Sequence, residues 1–402
     1  MEFKYELLKF GEYKDQVRCR FMKNWYFDIP KATLSALGKW EITKDKSLEI
    51  EETAEVMKRL IDDGMNNLTN AISNNKTIYL HKGCGIPLIG SNTFGIVDRG
   101  TSLIEIKPLT SCNLKCIHCS VSQGGDDKEF DFLVEADYLV EEVKKVLDEK
   151  ELKTPEDKVE IHFSCHGEPF LYGDIIYLLK KLSEIPAVTQ ITTDTNGTIL
   201  TEDFIDELAD AGMTRINLSI HSLDQKKAST IAGGNISVKH TMKIAEYIAK
   251  HPKMNLLIAP VWMPGLNDED IKEVIKYAKK LKATLGIQNY LNYKGGRYIQ
   301  KQLDWDKFKS QLEDWEKEFN TKLLMDMPKD FCIRKVKQIQ KPFKKGQTID
   351  AIIICHGHNP RELVAKSENR TITLPNCDKK IGQKVRIRLT RHKHNIFYGE
   401  TR

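Results

Sequence analysis

The 402-residue chain contains no apolar run approaching the ~18 residues a membrane helix needs, so no membrane partner is expected. Its amino terminus, Met1-Glu-Phe-Lys-Tyr-Glu6, lacks a basic segment followed by an apolar one, and no secretory signal is read there. Nine cysteines, an odd number at irregular spacing, make no disulfide framework and fit a reducing cytoplasm. The most informative absence is local: no fourth cysteine stands near the tight group Cys112, Cys116 and Cys119. With 40% hydrophobic and 30% charged residues the composition is that of a globular protein, and the length predicts two or three domains.

The group lies in Thr110-Ser-Cys-Asn-Leu-Lys-Cys-Ile-His-Cys-Ser120, after an apolar stretch (Leu103, Ile104, Ile106) and before a polar, glycine-containing segment. It therefore reads as a loop at the end of a strand, where α/β folds place reactive groups. A C-x3-C-x2-C triad offers three thiolates to a four-iron cube and leaves one iron without a protein ligand. Zinc would want a fourth ligand, which His118 could supply only with cramped geometry.

This triad, with Asn113 after its first cysteine, resembles the radical S-adenosylmethionine (radical SAM) superfamily. The resemblance implies a [4Fe-4S] cluster on Cys112, Cys116 and Cys119 whose open iron is chelated by SAM. It further implies reductive cleavage of SAM to methionine and a 5′-deoxyadenosyl radical, fed by an electron donor such as ferredoxin or flavodoxin.

Downstream, strand-like runs (Val159–Ser164, Thr189–Thr193, Arg215–Ile220, Asn255–Val261, Leu285–Tyr290) alternate with helical patterns (Val134–Leu147, Asp174–Ile185, Glu202–Ala211, Val238–Lys250, Asp268–Leu281). With Ser102–Lys107 in front these make six βα units, predicting an α/β fold with a partial (β/α)6 barrel. Motifs of the family recur at strand ends. Cys165-His-Gly-Glu-Pro169 resembles the turn that meets the SAM amino group, implicating Gly167, Glu168 and Pro169. Asp194-Thr-Asn-Gly197 implicates Asn196. In Arg215-Ile-Asn-Leu-Ser-Ile-His221, alternation puts Asn217, Ser219 and His221 on one face, and the resemblance gives Asn217 and Ser219 to SAM. Gln288, with Asn289, falls near the family's adenine contacts. His118 stands where an aromatic residue usually packs on adenine. Cys165, beside Gly167-Glu168, could be a catalytic hydrogen donor or methyl carrier, or simply a small buried hydrophobe.

The charge is unevenly placed. Residues 334–402 hold 17 Lys and Arg against 5 Asp and Glu, a net +12 on a body that carries −7. Short β-branched runs punctuated by Gly, Asn and Pro predict a small all-β barrel there, resembling the OB-like TRAM domain of tRNA-modifying enzymes. In Lys384-Val-Arg-Ile-Arg-Leu389, the basic Lys384, Arg386 and Arg388 alternate with apolar residues, and Arg391, Lys393 and Arg370 extend the basic side. The resemblance implies RNA, most readily tRNA, as partner. The predicted division is 1–97, an α+β accessory domain; 98–297, the radical SAM core; 298–340, a helical linker; and 341–402, the TRAM-like domain. In the first of these, Arg18–Phe27 is basic and aromatic, compatible with base stacking but more often ordinary core. The expected activity is modification of a carbon centre in a tRNA nucleotide. The alternatives are action on a small nucleotide-like metabolite, or an iron–sulfur protein that binds RNA or senses redox state.

Overall fold

In the computed structural model, which describes residues 2–3, 8–121, 130–293 and 296–401, six strands run parallel in one sheet. They are Leu103–Lys107, Val159–Phe163, Val188–Thr195, Arg215–Leu218, Asn255–Ile258 and Thr284–Leu285, paired in chain order. Gly95–Asp98 lies antiparallel outside the first strand, and the sheet remains open. The helices Ala136–Glu149, Ile175–Ser183, Glu202–Asp210, Val238–Lys250 and Asp268–Leu281 connect these strands. This is the six-unit α/β arrangement expected. Side chains of the first five parallel strands, with Gly286 just beyond the sixth, line one cavity, so the sheet is curled around an interior.

Local chemistry accounts for where these elements begin and end. Thr201, Asp224 and Ser237 accept the Phe204, Lys227 and His240 backbone N–H groups and so cap three helices. The predicted strand 255–261 is interrupted after Ile258, because Pro260 has no N–H to give a ladder. Val261–Trp262 then resumes beside Gln288–Asn289. The Ser122–Glu129 segment after the triad lies outside the described residues, as do most of Met1–Glu6 and the last arginine, Arg402.

The amino-terminal residues form a second sheet from Leu8–Tyr13, Gln16–Phe21, Trp25–Pro30, Thr69–Asn70 and Lys76–Leu80. Its sixth strand is Phe130–Val134, from beyond the cysteine loop, parallel to Lys76–Leu80. The Arg18–Phe27 stretch resolves as core: Phe21, Trp25 and Phe27 are buried, and Arg18 is clamped between Tyr13 and Tyr26 and paired with Asp28 at 2.8 Å. Helix Ala54–Asn66 packs on this sheet, so closely at Gly64 that an added Cβ would stand 2.3 Å from the Phe27 ring.

At the carboxyl end, Thr348–His356, Leu363–Ser367, Arg370–Leu374, Lys384–Arg391 and Tyr398–Thr401 close into a barrel around Ile353, Ile372, Leu374, Ile387 and Phe397. It is bolted to the body. Thr371 and Phe397 donate backbone bonds to Ile89 and Gly90 carbonyls at 2.9 Å, and Gly90 has no room for a Cβ against Thr371. Arg370 corrects the expectation drawn from sequence. Its side chain is buried, donating to the Asn369 and Gln340 carbonyls at 2.8 and 2.9 Å, so it ties the barrel to the preceding segment rather than facing a partner. Lys384, Arg386 and Arg388 do alternate outward, with Ile387 and Leu389 inward; Arg391 and Lys393 are exposed beyond them.

Candidate active site: the cysteine loop and the barrel interior

The cysteine loop has little regular structure of its own, so its shape comes from what grips it. Lys115 and Ile117 donate to the Ala232 and Ile231 carbonyls at 3.1 and 2.9 Å. Gly233, in the left-handed region at φ +57°, ends helix Gln225–Ala232 so close to the loop that a Cβ would lie 2.0 Å from the Lys115 carbonyl oxygen. On the other side Glu168 donates its N–H to the Ser111 carbonyl at 2.7 Å, and a Cβ on Gly167 would lie 1.9 Å from that oxygen. Arg297 N–H closes on the Cys119 carbonyl at 3.1 Å. The N-terminal sheet reaches in as well: buried Asn70 donates to the Ser111 hydroxyl and, at 2.8 Å, to Asp131.

Two adjoining cavities of about 170 and 250 Å³ lie over this loop. Cys112, Cys116, His118, Gly167, Asp194, Ser219 and His221 line both. Glu168, Thr195 and Asn196 line the smaller one; Cys119, Cys165 and Gln288 line the larger. Burial, followed by the neighbouring Cys112 and Cys119 sulfurs, pushes the Cys116 thiol up to about 12. Three thiols crowded in one cavity bind protons tightly until a cation takes their place. Among the described residues no three His, Cys, Asp or Glu side chains close round a single metal ion. A four-iron cube spaces its sulfurs more widely than a tetrahedral zinc shell does. The donor set and the glycine-lined approach fit a [4Fe-4S] cluster.

Glu168 is 2% exposed and its carboxylate is already engaged. It accepts from Thr195 Oγ1 at 2.7 Å, Asn196 N at 2.9 Å and Phe170 N at 3.2 Å. Burial pushes its pKa up to about 7, against the pull of those donors. Asn196 donates to Asn113 Oδ1 at 2.9 Å, and Asn113 to Thr198 at 2.8 Å, so the Thr-Asn-Gly turn holds the residue after the first cysteine. His118 meets His221 edge-on at 4.3 Å between ring centres, and burial lowers its pKa to about 4. Burial, with the facing His118, likewise holds the His221 imidazole well below its ordinary value, so burial favours the neutral form of both rings. The Cys165 thiol, pushed up to about 12 by burial, shares the larger cavity with the triad.

Two residues predicted for SAM lie elsewhere. Pro169 starts the buried 3₁₀ turn Pro169–Leu171 and lines neither cavity. Asn217 sits one layer deeper in the barrel, accepting from Arg215 Nε at 3.0 Å and donating to Asp194 at 2.8 Å. It belongs to a polar interior that the sequence reading missed. Arg215 reaches Glu160 at 2.5 Å, His162 contacts Thr192 at 2.8 Å and Asp194 at 3.3 Å, and buried Lys107 donates to Ser164. Burial opposes a charged His162, but Asp194, together with Glu160 and Glu105, outweighs it and raises the imidazole pKa. The same period-two alternation that placed Ser219 inward runs through Glu160-Ile-His162 and could have revealed this layer.

A curled parallel sheet that carries three gripped thiols over a polar interior defines a cluster-bearing α/β enzyme core. The family model of the radical SAM superfamily matches residues 106–278. An uncharacterized protein of Methanocaldococcus jannaschii, MJ0103, is 37% identical over 365 residues, covering 83% of each chain. GTP 3′,8-cyclase of Campylobacter jejuni subsp. doylei is 29% identical over 194 residues, 48% of this chain and 57% of the cyclase. Among solved structures, SuiB of Streptococcus suis bound to S-adenosylmethionine aligns with TM-score 0.41 at 18% identity, covering 79% of this chain and 71% of SuiB. The chain carries a radical SAM superfamily domain over residues 106–278, and members of that superfamily are enzymes that use a [4Fe-4S] cluster and S-adenosylmethionine and require a reductant. Among the described residues no helix is long and apolar enough to cross a membrane.

Proposed function

We propose that this enzyme modifies a carbon centre of an RNA nucleotide, with tRNA as the substrate class. When bound, the cluster and SAM supply a hydrogen-abstracting carbon radical. Cys112, Cys116 and Cys119 would hold the cluster. Gly167 opens the approach to the loop, and Glu168 and Asn196 fix the turn that faces SAM, with Ser219, His118 and Gln288 on the cavity walls. Cys165, which lines the larger cavity with the triad, would give back a hydrogen atom or carry a group.

The observation that carries the RNA reading is the closed five-stranded barrel, whose third and fifth strands run parallel and whose fourth presents Lys384, Arg386 and Arg388 outward. Such an OB-like barrel with a basic stripe is suited to tracking a phosphate backbone. Binding of unmodified tRNA to the full chain, measured against salt, tests this. Replacing all three with Glu is expected to weaken binding more than tenfold and to reduce the salt slope by roughly 2–3. Salt-independent binding, or binding indifferent to the substitutions, overturns it. The similarity to GTP 3′,8-cyclases over about half the chain favours a second reading, in which a small nucleotide is the substrate and the barrel is an accessory.

A further inference from the structure

Below the cysteine cavities lies a separate chamber of about 410 Å³, which shares Asp194 and Gln288 as lining residues with the larger of them. Its floor is the polar layer of the barrel, and its outer wall is the segment that follows the last strand: Trp305 and Phe308 from helix Trp305–Phe319, then Met327 and Phe331. Two aspects of this chamber are left unexplained by folding alone. On the floor, Glu160 is 2% exposed, and only one of its carboxylate oxygens is used. Oε1 accepts from Thr192 at 2.6 Å and from Arg215 at 2.5 Å, whereas buried Oε2 has no hydrogen-bond partner among the described residues. A buried carboxylate oxygen left unpaired is costly, and its neighbours in the layer are bonded to one another. On the wall, Trp305 and Met327 are 50% and 53% exposed, which is unusual for large apolar side chains that border a cavity.

From this geometry we infer that the chamber is a nucleobase pocket, in which an N–H of one base edge donates to Glu160 Oε2 while the base face lies against Trp305 and Phe331. A nucleobase combines a flat apolar face with in-plane N–H donors, which matches a chamber lined by aromatic rings and by Glu160 with its unpaired Oε2. A sugar would need polar partners all round, and a lipid would leave the carboxylate unpaired. The Arg215 guanidinium lies over one face of the Phe331 ring at 4.9 Å and fixes it, and Arg215 in turn holds the other oxygen of Glu160. The volume is large enough for one base with its ribose. The inference rests on the nucleotide reading of the proposed function and names where that nucleotide sits. The base can come from a free nucleoside or from a nucleotide turned out of RNA, and the chemistry of the pocket is shared by both.

The test is calorimetric titration of the full-length, cluster-loaded protein, under anaerobic conditions, with the four ribonucleosides separately and with unmodified tRNA. Glu160→Gln keeps an acceptor for Thr192 and Arg215 and turns a donor toward the ligand. It is expected to weaken binding at least tenfold, with melting temperature and iron content reporting whether it folds. Trp305→Ala, at a half-exposed position, is the second variant and is expected to weaken the same ligand at least fivefold. Free-nucleoside binding that depends on Glu160 and Trp305, with tRNA ignored, supports the pocket and sinks the RNA reading. Salt-dependent tRNA binding that is indifferent to both substitutions sinks the pocket and leaves the RNA reading standing. Binding of no nucleoside and no tRNA overturns the inference outright.

Discussion

Asn70, in the N-terminal sheet, hydrogen-bonds through its side-chain amide to the hydroxyl of Ser111, the residue before the first cluster cysteine. The same amide group reaches Asp131 at 2.8 Å, and Asp131 accepts from Thr110 at 3.1 Å. The N-terminal sheet is thus part of the device that shapes the cysteine loop. Asn70→Ala strands the buried Ser111 hydroxyl, at a cost of about 1–3 kcal/mol. Iron bound per chain after reconstitution should fall along with the melting temperature. Full iron loading at unchanged stability would show the contact to be incidental.

Gly167 tests the other side of the loop. Its Cβ position is 1.9 Å from the Ser111 carbonyl oxygen, a backbone atom that cannot swing aside. Gly167→Ala should therefore displace the loop, costing on the order of 1–3 kcal/mol. Cluster absorbance should be lost, whereas Gly265→Ala, where nothing lies within 4 Å although φ is +80°, should affect only local backbone strain.

Glu168 links the site to pH. Its folded pKa, pushed up to about 7 by burial, lies above its ordinary value of 4.5, so the folded state holds a proton that the unfolded chain releases first. Stability from this group is greatest below pH 4.5 and is lost as pH rises through 7. The size is on the order of 3 kcal/mol. Glu168→Gln removes the titration, so its stability relative to the parent should improve steadily from pH 4.5 to 7.5. A pH-independent difference would mean that Glu168 remains ionised throughout.

The core was legible in the sequence because its signals are local. The strand and helix periods of 159–281 and the close spacing of Cys112, Cys116 and Cys119 need no knowledge of distant contacts. What was missed depends on long-range pairing. Phe130–Val134 is five residues with four consecutive buried positions, and nothing local reveals that its partner is Lys76–Leu80 in another sheet. Arg370 read as surface because arginine usually is, yet the Gln340 carbonyl that takes its guanidinium lies thirty residues away. Asn217 shared the inward face with Ser219, but residue alternation gives the face of a strand and not the depth at which each side chain meets a ligand.

The attachment of the barrel makes a further prediction. Lys150 and Asp98 form a fully buried ion pair at 2.7 Å, and both also hold the segment that leads to the barrel, through the Lys337 carbonyl and the Ile339 N–H. Lys150→Met leaves a buried carboxylate without its counter-charge, at a cost of about 3–5 kcal/mol. Limited proteolysis should then cut near residues 334–345 in the variant before it cuts the parent. Equal resistance of both proteins would show that the other contacts of the barrel, among them its backbone bonds to Ile89 and Gly90, hold it without this ion pair.

The most direct test is turnover. The reconstituted protein, incubated without oxygen with SAM, dithionite and unmodified tRNA, should release 5′-deoxyadenosine together with a new nucleoside mass in the digested tRNA, and Cys116→Ala should abolish both. SAM cleavage that leaves every tRNA nucleoside unchanged while a small nucleotide is consumed would contradict the account.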